Sequence, residues 1–261
     1  MRALVLEGHG LDGLVWRDRP DPTPAAGQVV IRLKAAGLNH RDLWACRRWT
    51  DASAAGVLGS DGAGIVEAAG EGVAADLARG AEVVINPSLN WPAHQPFPGP
   101  EFEILARPTD GTFAERVVVP RLNVFAKPTH LSFAEAAALP LSGLTAWHAL
   151  VTTGRLVPGE TVLVPGVGGG TASVCVQLAH ALGARVIATS RDPAKRERAL
   201  ALGAAIALDS ASPFAEAIDV ATGRGRSGCR ERRPRYVGAV PEVAETRRPH
   251  RRIRLDQRRC D

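Results

Sequence analysis

The sequence predicts a mixed fold, an all-β barrel-like domain followed by part of an α/β domain with a parallel sheet. Three observations predict it. Over the first 150 residues, short runs rich in Val, Ile and Ala alternate with Gly and Pro turns. From Ser132 the pattern changes to capped helices and then to strand, helix, strand, helix, strand. Between the first strand and helix of that run lies a glycine-rich turn, Gly166-Val167-Gly168-Gly169-Gly170.

The strands predicted for the first part are Ala3–Glu7, Val29–Ala35, Gly64–Ala68, Glu82–Ile85 and Ala114–Val119. Turn chemistry separates them, as in Arg19-Pro20-Asp21-Pro22, Gly70-Glu71-Gly72 and Asp110-Gly111. The proline-rich stretch Asn86–Pro108 has little periodicity and predicts a surface loop. Ser132-Phe133-Ala134-Glu135 fits a capping box opening a short helix, and a second helix is expected to start near Ser142 and to reach Thr153-Gly154. Then follow a buried strand Thr161–Val164, a helix ending at Leu182-Gly183, a strand Arg185–Thr189, a charged helix Pro193–Leu202 and a strand Ala205–Leu208. Alternation of this length implies parallel strands with helical crossovers.

Of 261 residues, 32 are Lys or Arg and 27 are Asp or Glu, a formal charge of +5. That charge is unevenly placed. Residues 222–261 hold 13 Arg and 5 acids, a net of +8, while residues 1–221 carry a net of −3. The composition excludes a collagenous or disulfide-rich framework. No run approaches the ~18 apolar residues of a membrane span, and Glu7 interrupts the N-terminus too early for a signal peptide. Cys46, Cys175, Cys229 and Cys260 form no CxxC, so reduced thiols and a cytoplasmic location are expected.

The glycine-rich turn lies where a dinucleotide pyrophosphate would sit. Glycines let the backbone approach the phosphates, and a helix N-terminus stabilises their charge. Gly166, Gly169 and Ala172 give G-x-x-G-x-x-A, with Gly168 and Gly170 beside them. A glycine-rich loop of an unrelated α/β fold is the alternative. At the end of the second strand, an acid would accept bonds from a ribose 2′-OH, whereas a base would favour a 2′-phosphate. Ser190, Arg191 and Lys195 therefore point to NADP(H), with a solvated basic face as the alternative. Asp192 either caps the next helix or binds a ribose.

Assembled, residues 1–221 resemble the medium-chain dehydrogenase/reductase family, and most of all its quinone-oxidoreductase-like and zinc-type alcohol dehydrogenase-like members. The likeness is carried by Ala36-Gly37-Leu38-Asn39-His40-Arg41-Asp42-Leu43-Trp44, by Leu58-Gly59-Ser60-Asp61-Gly62-Ala63-Gly64-Ile65-Val66, and by Ala138-Leu139-Pro140 leading into Gly143-Leu144-Thr145-Ala146-Trp147. The resemblance implies a GroES-like catalytic domain over residues 1–127. Interdomain helices and the first half of a Rossmann domain would occupy 128–221, with the active site in the cleft between. It also implies a homodimer.

In the zinc enzymes of this family a Cys stands at the place of Asn39 and a His at the place of Ser60. Neither Asn nor Ser is a customary zinc ligand. The four-cysteine lobe of those enzymes would fall within Asn86–Pro108, which has no Cys, and His94 is read there as solvent-exposed. No zinc is expected. Without a Lewis acid, hydride transfer from NADPH to an activated enone, quinone or aldehyde asks least of the protein. By resemblance, Asn39, Asp42 and Trp44 would line the nicotinamide and substrate side, and Thr145 would contact the cofactor. Asp42 could equally cap a helix beginning near Asn39, Trp44 could be core, and Ser60 and Asp61 could turn a strand corner, although their motif places them near the cleft.

The resemblance stops soon after Ala221. With GC-rich codons, Arg247–Arg254 read one base later gives Gly-Gly-Arg-Ile-Val-Val-Ser-Gly, like the family strand missing there. Cys229–Val237 shifts in the same way, so a frameshift near Gly223–Arg226 is expected. The tail would then be unstructured, the C-terminal Rossmann half and the dimer interface lost, and catalysis impaired or absent. A basic arm for nucleic acid is the competing reading, disfavoured by the absence of Lys from this segment.

Overall fold

The computed structural model describes residues 1–50, 52–73, 77–92, 95, 97–212 and 235–236. His94, the frameshift segments other than Arg235–Tyr236, Cys229 and Cys260 lie outside the described residues.

The first part is built of β1 (Arg2–Leu6), β2 (Leu14–Asp18), β3 (Gln28–Gly37), helix α1 (His40–Arg47), β4 (Gly56–Val57), β5 (Asp61–Ala69), β6 (Glu82–Ile85), β7 (Ser88–Leu89), β8 (Glu103–Ile104), β9 (Arg116–Pro120) and β10 (Val124–Ala126). One antiparallel sheet has five strands in the order β10-β6-β5-β3-β9, and another has three in the order β2-β1-β4. Bonds from Leu4 N–H to Phe113 O (2.8 Å) and from Glu115 N–H to Arg2 O (3.0 Å) stitch β1 to the chain entering β9. Period-2 alternation sends Val29 and Ile31, Val83 and Ile85, and Val117 and Val119 into one fully buried core. The pairing of β3 with β5 shifts register at Val30/Ile31 and again at Leu33/Ala35. Such bulges bend a sheet towards barrel closure.

Asn86–Pro108 is not simply a surface loop. It contains the β7–β8 pair and buries Leu89, Leu105 and Ala106. The ladder is too short to show periodicity; it is pinned from outside by Asn123 Nδ2, which donates to Asn86 O (2.9 Å) and Ser88 O (2.8 Å).

The second part opens with α2 (Phe133–Ala137), α3 (Pro140–Trp147) and a π-helical turn over His148–Thr153. Ser132 caps α2 as its sequence implies, accepting from Glu135 N–H at 3.3 Å while Glu135 returns a bond to Ser132 N–H at 2.9 Å. The helix expected near Ser142 starts earlier, with Pro140 in its first turn.

Next come β11 (Thr161–Val164), α4 (Gly170–Ala181), β12 (Arg185–Ser190), α5 (Pro193–Ala201) and β13 (Ile206–Asp209). A two-residue strand, β14 (Arg235–Tyr236), falls within the tail expected to be unstructured. All pair parallel in the order β13-β12-β11-β14. The chain therefore passes outward on one side of β11 and then reappears on its other side, the strand-order reversal beside which α/β sheets bind ligands. Both faces of the sheet centre are covered, since Val162–Val164 and Val186–Ser190 are buried throughout.

Candidate active site where the barrel meets the parallel sheet

Asn39, Asp42 and Trp44 are brought together on α1. Asn39 is the extended residue before the helix (φ −126°, ψ 151°), and Asp42 Oδ2 accepts its backbone N–H at 2.8 Å. The capping alternative for Asp42 is therefore realised. Its other oxygen, Oδ1, is buried with no hydrogen-bond partner among the described residues. Burial pushes this carboxyl above the usual range, against the Asn39 and Gly59 amides and the Arg41 charge. Trp44 is half-buried, its ring edge-on to His40 at 5.3 Å.

Opposite α1, the start of β5 supplies Ser60 and Asp61, which are 0% and 2% exposed. Asn39 Nδ2 donates to Asp61 Oδ2 at 2.9 Å, and Leu141 N–H of α3 donates to Asp61 Oδ1 at 2.8 Å. Burial raises the Asp61 pKa to about 6; the Asn39 and Leu141 donors and Arg41 oppose this, while Asp42 adds to it. Ser60 Oγ donates to Leu105 O at 2.8 Å and accepts from Arg41 Nη1 at 2.7 Å; the same Nη1 reaches Leu105 O at 3.0 Å. Ala106, next in the chain, is held at φ 115°, a conformation costing ~1–3 kcal/mol and concentrated at functional sites.

The glycine-rich turn joins β11 to α4. Gly166 (φ 64°) and Gly168 (φ 137°) adopt backbone that side chains rarely take, and Gly166 and Gly169 have open space where a Cβ would stand. Gly169 caps α4 without a side-chain bond, which leaves the first-turn N–H groups of Gly170, Thr171 and Ala172 for an anion's oxygens. Val167 N–H bonds Thr189 O at 2.8 Å and ties the turn to the end of β12.

At that end, Ser190 is buried and its Oγ accepts from Asp192 N–H at 3.2 Å. Asp192 caps α5 through Ala194 N–H at 2.9 Å, the capping alternative again. Arg196 braces the corner by donating to Ser190 O (2.7 Å) and pairing with Asp209 (3.2 Å). Arg191 is exposed, and Lys195 lies across the turn, its Cδ 2.5 Å from where a Cβ on Gly168 would stand.

Thr145 is half-buried and donates to Leu141 O at 2.6 Å within α3. Another α3 residue meets the turn: Ser142 is buried, with Oγ 2.7 Å from where a Cβ on Gly170 would stand. Sequence reasoning assigned no role to Arg41, Leu141 or Ser142, and left Asp61 between a strand corner and a place near the cleft. One signal pointed to them. Leu139-Pro140-Leu141-Ser142 opens a helix with no capping side chain of its own, so a partner from elsewhere was required.

Comparison with known proteins agrees with this geometry. Residues 25–129 match the family model for the alcohol dehydrogenase GroES-like domain, and residues 170–228 match that for zinc-binding dehydrogenase. A zinc-type alcohol dehydrogenase-like protein of Schizosaccharomyces pombe is 38% identical over 182 residues, covering 68% of this chain and 52% of the relative. A solved NAD-dependent alcohol dehydrogenase is 40% identical with a TM-score of 0.80, covering 86% of this chain and 68% of that one. A quinone oxidoreductase of Pseudomonas syringae pv. tomato DC3000 is 30% identical with a TM-score of 0.71, covering 86% of this chain and 64% of that one. The chain spans about half the length of the curated relatives it matches. On these matches in both parts of the fold, the chain belongs to the medium-chain dehydrogenase/reductase family, whose members are nicotinamide-dependent oxidoreductases.

Proposed function

We propose that this site serves zinc-independent reduction of an enone, quinone or aldehyde with NADPH. One observation carries the zinc-independent part. Arg41 Nη1 stands 2.7 Å from Ser60 Oγ, so a guanidinium occupies the side of the cleft where the zinc members of the family have a ligand. The donor set does not suit zinc. Asn39 turns its amide nitrogen to Asp61, and Ser60 Oγ is engaged by both Arg41 and Leu105 O. A fixed cation beside those atoms repels a second one.

The residues present do fit a dinucleotide. The Gly166–Gly170 turn with the first turn of α4, Ala172 included, would hold the pyrophosphate. Ser190, Arg191 and Lys195 would hold the 2′-phosphate, and Thr145 of α3 would contact the cofactor, as the family resemblance implies. Bound there, the nicotinamide supplies the hydride. Asn39 and Trp44 then orient the acceptor, and the Asn39–Asp61 bond keeps the amide from rotating. A proton from solvent completes the two-electron reduction at the carbon or oxygen next to the new C–H bond.

The test is NADPH oxidation by the full-length chain with 9,10-phenanthrenequinone, followed at 340 nm with and without 1,10-phenanthroline. Turnover that is weak, as the departure of the tail from the family implies, and that the chelator leaves unchanged is expected. Turnover abolished by chelator and restored by zinc would overturn the reading.

A further inference from the structure

Hydride transfer demands that the substrate side and the cofactor side be held in register, and these sides lie on different parts of the fold. Asp61 is the residue that both reach. It is fixed at three points: Oδ2 accepts from Asn39 on the barrel, Oδ1 accepts from Leu141 on α3, and its carbonyl accepts from Thr112 Oγ1 at 2.7 Å. Leu141 lies 80 residues along the chain, so this bond closes the barrel against the interdomain helix.

The bond answers a need of α3. Its N-cap, Leu139, offers no side-chain acceptor, and Pro140 has no N–H, so Leu141 presents the first donor of the helix. A carboxylate there both accepts that hydrogen and meets the positive end of the helix dipole. One residue further, Ser142 packs on Gly170, the first residue of α4. A continuous path therefore runs from Asn39 through Asp61, Leu141 and Ser142 to the glycine-rich turn. There is little slack in it: a Cβ on Gly37 would fall 2.5 Å from Ala137 O and 3.0 Å from Asp61 Cβ.

We propose that Asp61 is a positioning residue that caps α3 from the barrel and so sets the register between Asn39 and the glycine-rich turn. This deepens the reading of the site given above and rests on it for the identity of the two sides.

The experiment compares the full chain with D61A, which removes both acceptors, and D61N, which keeps an acceptor for Leu141. Amide hydrogen exchange is read at Leu141 and at Ser173, whose N–H bonds Gly169 O at 3.0 Å beside the glycine-rich turn. In D61A both amides should exchange roughly fivefold faster, the size of a lost cap, and D61N should retain protection at both. Faster exchange in D61A at Leu141 alone would make Asp61 a local cap and overturn the proposal. So would equal exchange in all three proteins, or equal loss in D61N and D61A. Where the parent turns over NADPH, D61A should lower kcat about tenfold and raise the NADPH Kd by no more than the roughly fivefold loosening of the turn, because the phosphate-holding groups themselves are kept. An unchanged kcat in D61A would again overturn it. A parent that neither binds nor oxidises NADPH removes the functional reading, and the two amides then decide the role of Asp61 by themselves.

Discussion

Arg41 and Ser60 are joined by a 2.7 Å hydrogen bond whose acceptor is completely buried, so a cation is built into the barrel wall beside two carboxyl groups. Its field counts at both: Arg41 lowers the pKa of Asp42 and of Asp61, which burial raises. An R41M variant should therefore titrate Asp61 above about 6, the value in the parent. Ser60 keeps Leu105 O as a partner, so the variant should fold, with a loss of about 2 kcal/mol for the charged hydrogen bonds. Carboxyl carbon chemical shifts across the pH range read the titration directly. A midpoint at or below that of the parent would sink the prediction.

Asp61 itself links the site to stability. Its folded pKa of about 6 lies above the ordinary 3.8, so the folded chain prefers it protonated. Its stabilising contribution is complete below pH 3.8 and is lost as the pH rises through about 6. The loss is on the order of 3 kcal/mol. D61N cannot ionise and, with the Asn39 amide turned over to present its oxygen to the new Nδ2, should be the more stable protein at pH 7.5, with a flatter stability profile between pH 4 and 7. Urea unfolding across that range tests this. A D61N less stable than the parent at pH 7.5 would contradict it.

These two relationships mark the limit of what the sequence displays. Local signals were legible: the Ser132–Glu135 capping box, the alternation of Val29 and Ile31, and the glycines after Val164 all act within a few residues of themselves. The short strands β4, β7, β8 and β10 were not, because two or three residues show no period. The start of α3 was placed late for a different reason. Its cap is Asp61, brought from 80 residues away by barrel closure. The same holds for Arg41, whose partners Ser60 and Leu105 lie 19 and 64 residues along the chain.

Cofactor choice should rest on the residues that follow β12. Arg191 is exposed, Lys195 lies over Gly168, and Asp192 is spent as the cap of α5. Either R191A or K195A should weaken NADPH binding about tenfold, the loss of one charge-assisted hydrogen bond. NADH binding should be unaffected, since it lacks the 2′-phosphate. Fluorescence titration with both cofactors compares them. An equal loss for NADH would assign these bases to the pyrophosphate, and tighter NADH than NADPH binding by the parent would reverse the preference.

The turn itself offers a contrast between two glycines. Gly168 sits at φ 137°, so alanine there is strained whatever surrounds it, at ~1–3 kcal/mol. Its would-be Cβ meets Lys195 Cδ at 2.5 Å, but a lysine chain can swing away, and removing it leaves the backbone strain in place. Gly170 is helical, and its conflict is with Ser142 Oγ at 2.7 Å, the end of a short buried side chain that can yield only by rotating about χ1. G170A should thus be destabilising by about 1–3 kcal/mol through overpacking. The double variant G170A/S142A should recover most of that loss, while G168A/K195A should recover little. Thermal unfolding of the four proteins separates strain from crowding. If G168A/K195A were restored and G170A/S142A were not, the causes assigned to the two glycines would have to be exchanged.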